Sequence, residues 1–299
     1  MNEFLGEIAA LSTAACWAFT SMFFTLGGRR VGSVIVNRVR LVLALIFLML
    51  THLILTGQLI PIQAEPSRWF WLGLSGVIGF VIGDAMLFQA FVMIGTRITM
   101  LLMSLVPVIS TILAWLFLGE TLSPIEVLGI AVTIGGVAWV VADKNRGGAI
   151  VKGKQLALGV LLGIGGAMGQ AVGLLTSKKG LFGDFSALSG NLIRVIIATI
   201  VMWILTIAIG KAKSTILSLK DFKASRAILG GSICGPFIGV WLSLVAIQYA
   251  RIGIASTLMS LTPVLLIPLV WWVFKEKITI HGVLGTLVAI AGVAILLLA

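Results

Sequence analysis

The chain reads as an all-α integral membrane protein, with ten transmembrane helices arranged as a 5+5 inverted-topology repeat around a central cavity. Three observations point there. Of its 299 residues 60% are apolar and only 10% are charged, where a soluble domain carries roughly 25% charge. Ten mostly apolar stretches each reach the roughly 20 residues that a helix needs to cross about 30 Å of hydrocarbon. The sequence also matches itself when shifted by about half its length.

Taken in order, the spans fall at 5–27, 34–56, 69–93, 98–118, 124–142, 155–177, 187–210, 226–249, 253–274 and 280–298. The first follows Met1-Asn2-Glu3, which is no basic leader, and no small-x-small cleavage pattern follows it, so it stays as a helix rather than a signal peptide. The second contains Leu41 to Leu50, an unbroken apolar run that excludes the alternating strands of a transmembrane barrel. The third holds Asp84 and the pair Gly79 and Gly83; the sixth holds Gly159, Gly163, Gly165, Gly169 and Gly173 at four-residue spacings that let helices approach closely. Pro107 interrupts the fourth span, and Pro263 with Pro268 interrupts the ninth. The fifth and tenth are glycine-rich and nearly free of polar groups, which suits peripheral packing or a dimer surface. The connections are short, so any activity must lie within the bundle.

A shift of 156 residues lays Leu102-Met103-Ser104-Leu105-Val106-Pro107-Val108 on Leu258-Met259-Ser260-Leu261-Thr262-Pro263-Val264, and the match runs on through Trp115 and Trp271, Glu120 and Glu276, to Gly136-Val137-Ala138 and Gly292-Val293-Ala294. Gly79 and Gly83 fall on Gly235 and Gly239, and at an offset of 154 Asn37-x-x-Arg40 falls on Asn191-x-x-Arg194. The chain is therefore a duplication. Residues 1–142 form the first five-helix repeat, 143–154 a basic linker and 155–299 the second repeat. Because each half has an odd number of spans, the second enters the membrane in the opposite sense, an arrangement that recurs in secondary transporters.

The net charge is +11. In a soluble protein this would suggest nucleic acid; here it speaks of topology, and no nucleic-acid partner is expected. Most of the 21 Lys and Arg fall on the side opposite the termini, which keeps only Arg68, Lys178, Lys179, Arg194 and Arg251. Basic loops face the cytoplasm, so both termini are expected in the periplasm of a bacterial inner membrane. Cys16 and Cys234 are too few for a disulfide framework or a zinc cage and read as apolar filler. No phosphate-binding loop and no metal-ligand spacing occurs, so no cofactor is expected, and energy must come from the solute's own gradient or a coupled ion.

The Gly119-Glu120-Thr-Leu-Ser turn followed by Gly129 and Gly135-Gly136, its echo at Glu276, Gly285 and Gly292, and the matched prolines in spans four and nine resemble the EamA family of the drug/metabolite transporter superfamily. The resemblance covers essentially the whole chain, is specific for fold and is weak for substrate. Within that family the chain looks most like the YddG-type exporters, which would imply efflux of aromatic and other amino acids. The family's usual arrangement has both termini in the cytoplasm, against the charge count.

Six residues are expected to contact substrate: Trp17, Asp84, Phe88, Gln89, Gln170 and Trp241. Asp84 is the only acidic residue well inside a span. A carboxylate there is costly unless it faces a cavity or a partner, so it is either a site for a substrate ammonium or proton, or a hydrogen-bonded strut. Its counterpart is Val240, so symmetric packing does not require it. Trp17, Phe88 and Trp241 lie at mid-depth, away from the interfacial belt, and can wall a cavity for an amphipathic solute. Gln89 and Gln170 can offer donors and an acceptor to a zwitterion; interhelical hydrogen bonding is the rival explanation and the one expected for Gln248. Pro107 and Pro263 each remove a helix hydrogen bond and are expected to gate. Arg40 and Arg194, near the starts of the second and seventh spans, read as snorkelling anchors with no evident acidic partner. Glu120 and Glu276 read as caps of the following helices.

The expected function is export of small amphipathic metabolites, amino acids above all, by alternating access, from a monomer or homodimer in the lipid bilayer. A lipid or nucleotide-sugar translocator on the same fold is the alternative. An intramembrane serine hydrolase has one literal hook, Gly73-Leu74-Ser75-Gly76, and would need Ser75 paired with His281.

Overall fold

The computed structural model describes residues 2–118, 121–142, 153–183, 185–249, 258–275 and 279–298. Among the described residues every regular element is helical, as hydrocarbon demands, because only a helix satisfies its own backbone groups there. The elements are α1 (Asn2–Val31), α2 (Ser33–Thr56), α3 (Pro66–Gly76), a π-helical segment (Val77–Gly83), α4 (Asp84–Ile94), α5 (Thr96–Met103), α6 (Leu105–Leu118) and α7 (Pro124–Ala142). Then come α8 (Lys154–Gly180), α9 (Ala187–Ala208), α10 (Ala212–Ser218), α11 (Phe222–Ser232), a second π-helical segment (Ile233–Gly239), α12 (Val240–Tyr249), α13 (Thr262–Phe274) and α14 (Ile280–Leu298). Among the described residues nine rods are long and apolar enough to cross a membrane, and α13 is a shorter apolar helix. Expected spans and observed helices agree to within a few residues: 34–56 on Ser33–Thr56, 124–142 on Pro124–Ala142, 280–298 on Ile280–Leu298. Residues 253–257 of the ninth expected span, most of the expected linker, and Glu120 and Glu276 lie outside the described residues.

Two reversals use a single residue. Gly32, at φ 93°, turns α1 into α2, and Gly95, at φ 82°, turns α4 into α5, a backbone region that costs a residue with a Cβ. The fourth span breaks at Ser104, between α5 and α6. Pro107 lacks the N–H that would reach the Met103 carbonyl, so the helix ends at Met103 and restarts. Pro263, expected to kink the ninth span from inside its helix, sits instead in the first turn of α13, directly after a break at residues 260–261, where a missing N–H costs least.

Three antiparallel seams hold the bundle. Along α3–α4 against α8, a methyl on Gly169 would come within 2.6 Å of the Gly83 Cα, and one on Gly173 within 3.3 Å of the Gly79 Cα. Along α1 against α11 and the second π segment, Gly231 faces Phe24, Gly235 faces Thr20 and Gly239 faces Trp17. The fifth and tenth spans form their own pair, with Gly129 against Leu296 and Gly292 against Thr133. Their outward faces expose Ile125, Leu128, Ile134, Leu284 and Leu287, suited to lipid.

The helices α2 and α9 also run antiparallel. The Thr199 hydroxyl lies 3.4 Å from the Leu41 carbonyl, and His52 near the end of α2 meets Ser189 near the start of α9 at 3.0 Å. At the opposite end, Ser33 donates to Gln89 at 2.6 Å, Thr96 to Thr25 at 2.9 Å, and Arg38 to Thr215 at 2.9 Å. Arg30 pairs with Asp221 at 2.9 Å. The Arg30 guanidinium and the Ala224 N–H together hold the Asp221 carboxyl below the usual carboxylate range.

Candidate functional site

The most polar ground inside the bundle lies about 10 Å along α2 from its start, where Asn37 and Arg40 face the first π segment and α4. Opening the helix to π geometry exposes backbone carbonyls, and such bulges recur at functional sites. The Phe80 carbonyl accepts from Asn37 Nδ2 at 3.0 Å and lies 3.5 Å from Arg40 Nη2. Arg40 Nε donates to Asn37 Oδ1 at 2.9 Å, and its Nη2 is paired with the Asp84 carboxylate. Gln170 Nε2, from α8, donates to the other Asp84 oxygen at 2.6 Å. Arg40 and Asp84 are buried, at 4% and 5% exposure, while Gln170 is half-buried.

Aromatic faces complete the nest. The Arg40 guanidinium lies 4.8 Å from the Phe88 ring centre, 5.7 Å from Phe80 and 5.9 Å from Phe24. Phe24 and Phe88 are themselves in contact, 5.0 Å between centres. Cation–π contacts of this kind strengthen when water is excluded. From α9, Arg194 reaches the same ring, 4.5 Å from the centre of Phe80, with its backbone pressed against Gly76. Two guanidinium groups and one carboxylate therefore share one pocket of ring faces, and the cluster carries a net positive charge.

The expected site residues divide. Asp84, Phe88 and Gln170 come together here. Gln89 does not join them; its Oε1 accepts from Ser33 and ties α4 to the start of α2. Trp17 lies over Gly239 of the second π segment, and Trp241, 37% exposed, meets Phe237 in a tilted contact, 6.3 Å between ring centres. The Gln248 side chain is outside the described residues. Arg40 and Arg194 overturn their reading as interfacial anchors: Arg40 has an acidic partner in Asp84, 44 positions along the chain, and both are core residues of the cluster. The signal that could have found them was the Asn-x-x-Arg motif repeated in both halves. The Ser75–His281 pairing is absent. Ser75 is fully buried and donates to the Gly173 carbonyl at 2.5 Å, and His281 is exposed beside Trp139.

A separate cavity of about 270 Å³ lies at the end where α2 finishes, lined among others by His52, Thr56, Gln63, Phe185 and Ser189. Among the described residues no cluster of three or more metal-ligating side chains occurs.

Comparison with known proteins gives the same architecture. A solved crystal structure superposes with a TM-score of 0.67 over 97% of this chain and 95% of that one, at 13% identity, which shows the fold alone. The threonine/homoserine exporter RhtA of Escherichia coli, from strain K12 and from strains O6:H1 and O157:H7, is 29% identical over 137 residues. That match spans 44% of this chain and 43% of RhtA, under half the length of each. The profile of the EamA-like transporter family matches residues 4–142 and 157–298, nearly the whole chain. With its many apolar rods and this match, the chain is a multi-pass membrane protein that belongs to the EamA-like transporter family.

Proposed function

We propose that the protein is a secondary exporter of small amphipathic metabolites, amino acids above all, in a bacterial inner membrane. Its ten spans form two five-helix halves, 1–142 and 155–299, of inverted topology, and the site between them opens alternately to either side. The observation that carries this reading is the buried polar nest itself. Asn37, Arg40 and Asp84 come from the first half and Gln170 and Arg194 from the second, so a solute bound there touches both halves and senses their relative motion. The antiparallel run of α2 and α9, which hold the matching Asn-x-x-Arg motifs, supports the inversion. So do the matched helix breaks, two π segments 156 residues apart and two interruptions before proline.

Pro107 and Pro263 sit at those interruptions and serve as gating joints. Phe88 and Phe80 wall the site, and Trp17 and Trp241 line the approach along the second π segment. Export of amino acids is supported by the similarity to RhtA. The Lys and Arg distribution supports termini in the periplasm. A buried Ser75 without a histidine partner favours a carrier over a hydrolase.

Counterflow in proteoliposomes across a panel of radiolabelled amino acids tests the proposal. Exchange of at least one of them is the expected result. A panel in which none moves would overturn the amino-acid assignment.

A further inference from the structure

The two Asn-x-x-Arg motifs differ in what they meet, and, if the protein is the carrier proposed above, the difference bears on how a solute is held. Arg40 is engaged through its inner edge: Asn37 Oδ1 takes its Nε, and the Phe80 carbonyl and Asp84 meet its Nη2. Arg194 meets no hydrogen-bond acceptor among the described residues. Its Nε is buried without a partner, while the residue as a whole is half-buried. Asn191 Oδ1, counterpart of the Asn37 oxygen that accepts from Arg40, is likewise buried and unpartnered. Where the first half has Asp84 the second has Val240. The Phe80 ring lies 4.5 Å from the guanidinium carbon of Arg194, a cation–π contact that supplies no conventional hydrogen-bond acceptor. A guanidinium edge matches a carboxylate with two parallel hydrogen bonds.

We infer that Arg194 is the carboxylate-binding residue of the site, that it receives the α-carboxylate of an amino-acid solute, and that Arg40–Asp84–Gln170 is a preformed strut rather than the solute's partner. The carboxylate neutralises the uncompensated charge of the cluster and supplies to the second half the anion that Asp84 supplies to the first. A solute with an ammonium and no carboxylate brings a second positive charge to a positive site and is disfavoured.

The test is binding to the full chain in nanodiscs of neutral phosphatidylcholine, measured calorimetrically with L-threonine and L-phenylalanine against their amides. Wild-type protein is expected to bind at least one acid more than tenfold tighter than its amide. Arg194→Gln should abolish that preference, and Arg194→Lys, which keeps the charge without the fork, should keep part of it. In a measurement that needs no variant, 3-phenylpropionate should displace L-phenylalanine and phenethylamine should not. Equal binding of acids and amides, displacement by the amine alone, or an Arg194→Gln protein with its preference intact would each overturn the inference. If the same amino acids still exchange in counterflow, the carrier reading survives that failure. If none of them binds or exchanges, both fall together.

Discussion

In the first half of the chain, Asn37 and Arg40 close on a carboxylate at Asp84 and on the Phe80 carbonyl of the first π segment. In the second half, Asn191 and Arg194 stand at the corresponding places with Val240 where the carboxylate would be, and neither Asn191 Oδ1 nor Arg194 Nε has a partner. The packing differs in the same sense. Helix α2 packs on α1 and on α4, whereas α9 packs on α2 and α3 and, among the described residues, makes no comparable contact with α8 or α12. In the proposed pair of repeats the scaffold is kept while the charges diverge, with one end latched by side chains and a cavity at the other. On the proposed reading this is one of two exchangeable arrangements, and the unmatched arginine is the place where a solute enters the balance.

The largest effect should come from removing the one carboxylate. Asp84→Asn leaves two guanidinium groups in the bundle without a counter-charge and should destabilise the fold by about 3–5 kcal/mol, as breaking a buried pair does. Arg40→Gln should cost nearly as much alone, and the double variant less than the sum; denaturant titration in detergent measures all three. Equal, additive and small effects would mean that the pair is not a unit.

Two of the three glycine seams can be set against each other. Gly169→Ala places a methyl 2.6 Å from the Gly83 backbone, which cannot yield without parting the helices, and should cost about 1–3 kcal/mol. At Gly235 the nearest atoms belong to the Thr20 side chain, at 2.7 Å, which can rotate away. Gly235→Ala should therefore cost less in the same titration, and the reverse order would contradict the packing of the two seams.

Val240→Asp tests whether the correspondence in sequence is also one in space. Among the described residues α9 and α12 make no comparable contact, so the preference of Arg194 for acids over amides should stay unchanged in the same calorimetry. A tenfold loss, about 1.4 kcal/mol, would instead bring position 240 beside Arg194.

The smallest effect on stability is at the latched end. Because Arg30 and Ala224 lower the Asp221 carboxyl in the folded protein, its contribution is present above the ordinary carboxylate value. It is lost as pH falls through the lower folded one, below about pH 4. Thermal stability should show an acid-side step there that Arg30→Gln weakens.

How much the sequence made legible depends on the physics behind each feature. Spans depend on apolar length alone, and all of those within the described residues are found close to where they are expected. The seam of Gly79 and Gly83 against Gly169 and Gly173 and the break before Pro107 depend on local sterics and were legible too. Asp84, Phe88 and Gln170 stood out as groups that an apolar span must accommodate. Arg40 and Arg194 did not, because whether an arginine near a span's start reaches outward or inward depends on the rotation of its helix. Neither periodicity nor charge fixes that rotation when the partner is 44 residues away. Gln89 failed for the same reason, since its pairing with Ser33 depends on the register between two helices. The π segments have no strong sequence signature beyond the glycines that flank them.

The central claim is that two inverted halves exchange arrangements about a shared polar site. The most direct measurement is a pair of spin-label distances on protein whose Cys16 and Cys234 have been replaced by serine. One pair joins Gln58 to Phe182 at the cavity end, and the other joins Val34 to Lys223 at the latched end. On adding a transported amino acid the two distances should shift in opposite senses, one shortening as the other lengthens. Distances that stay fixed, or that move together, would contradict the account.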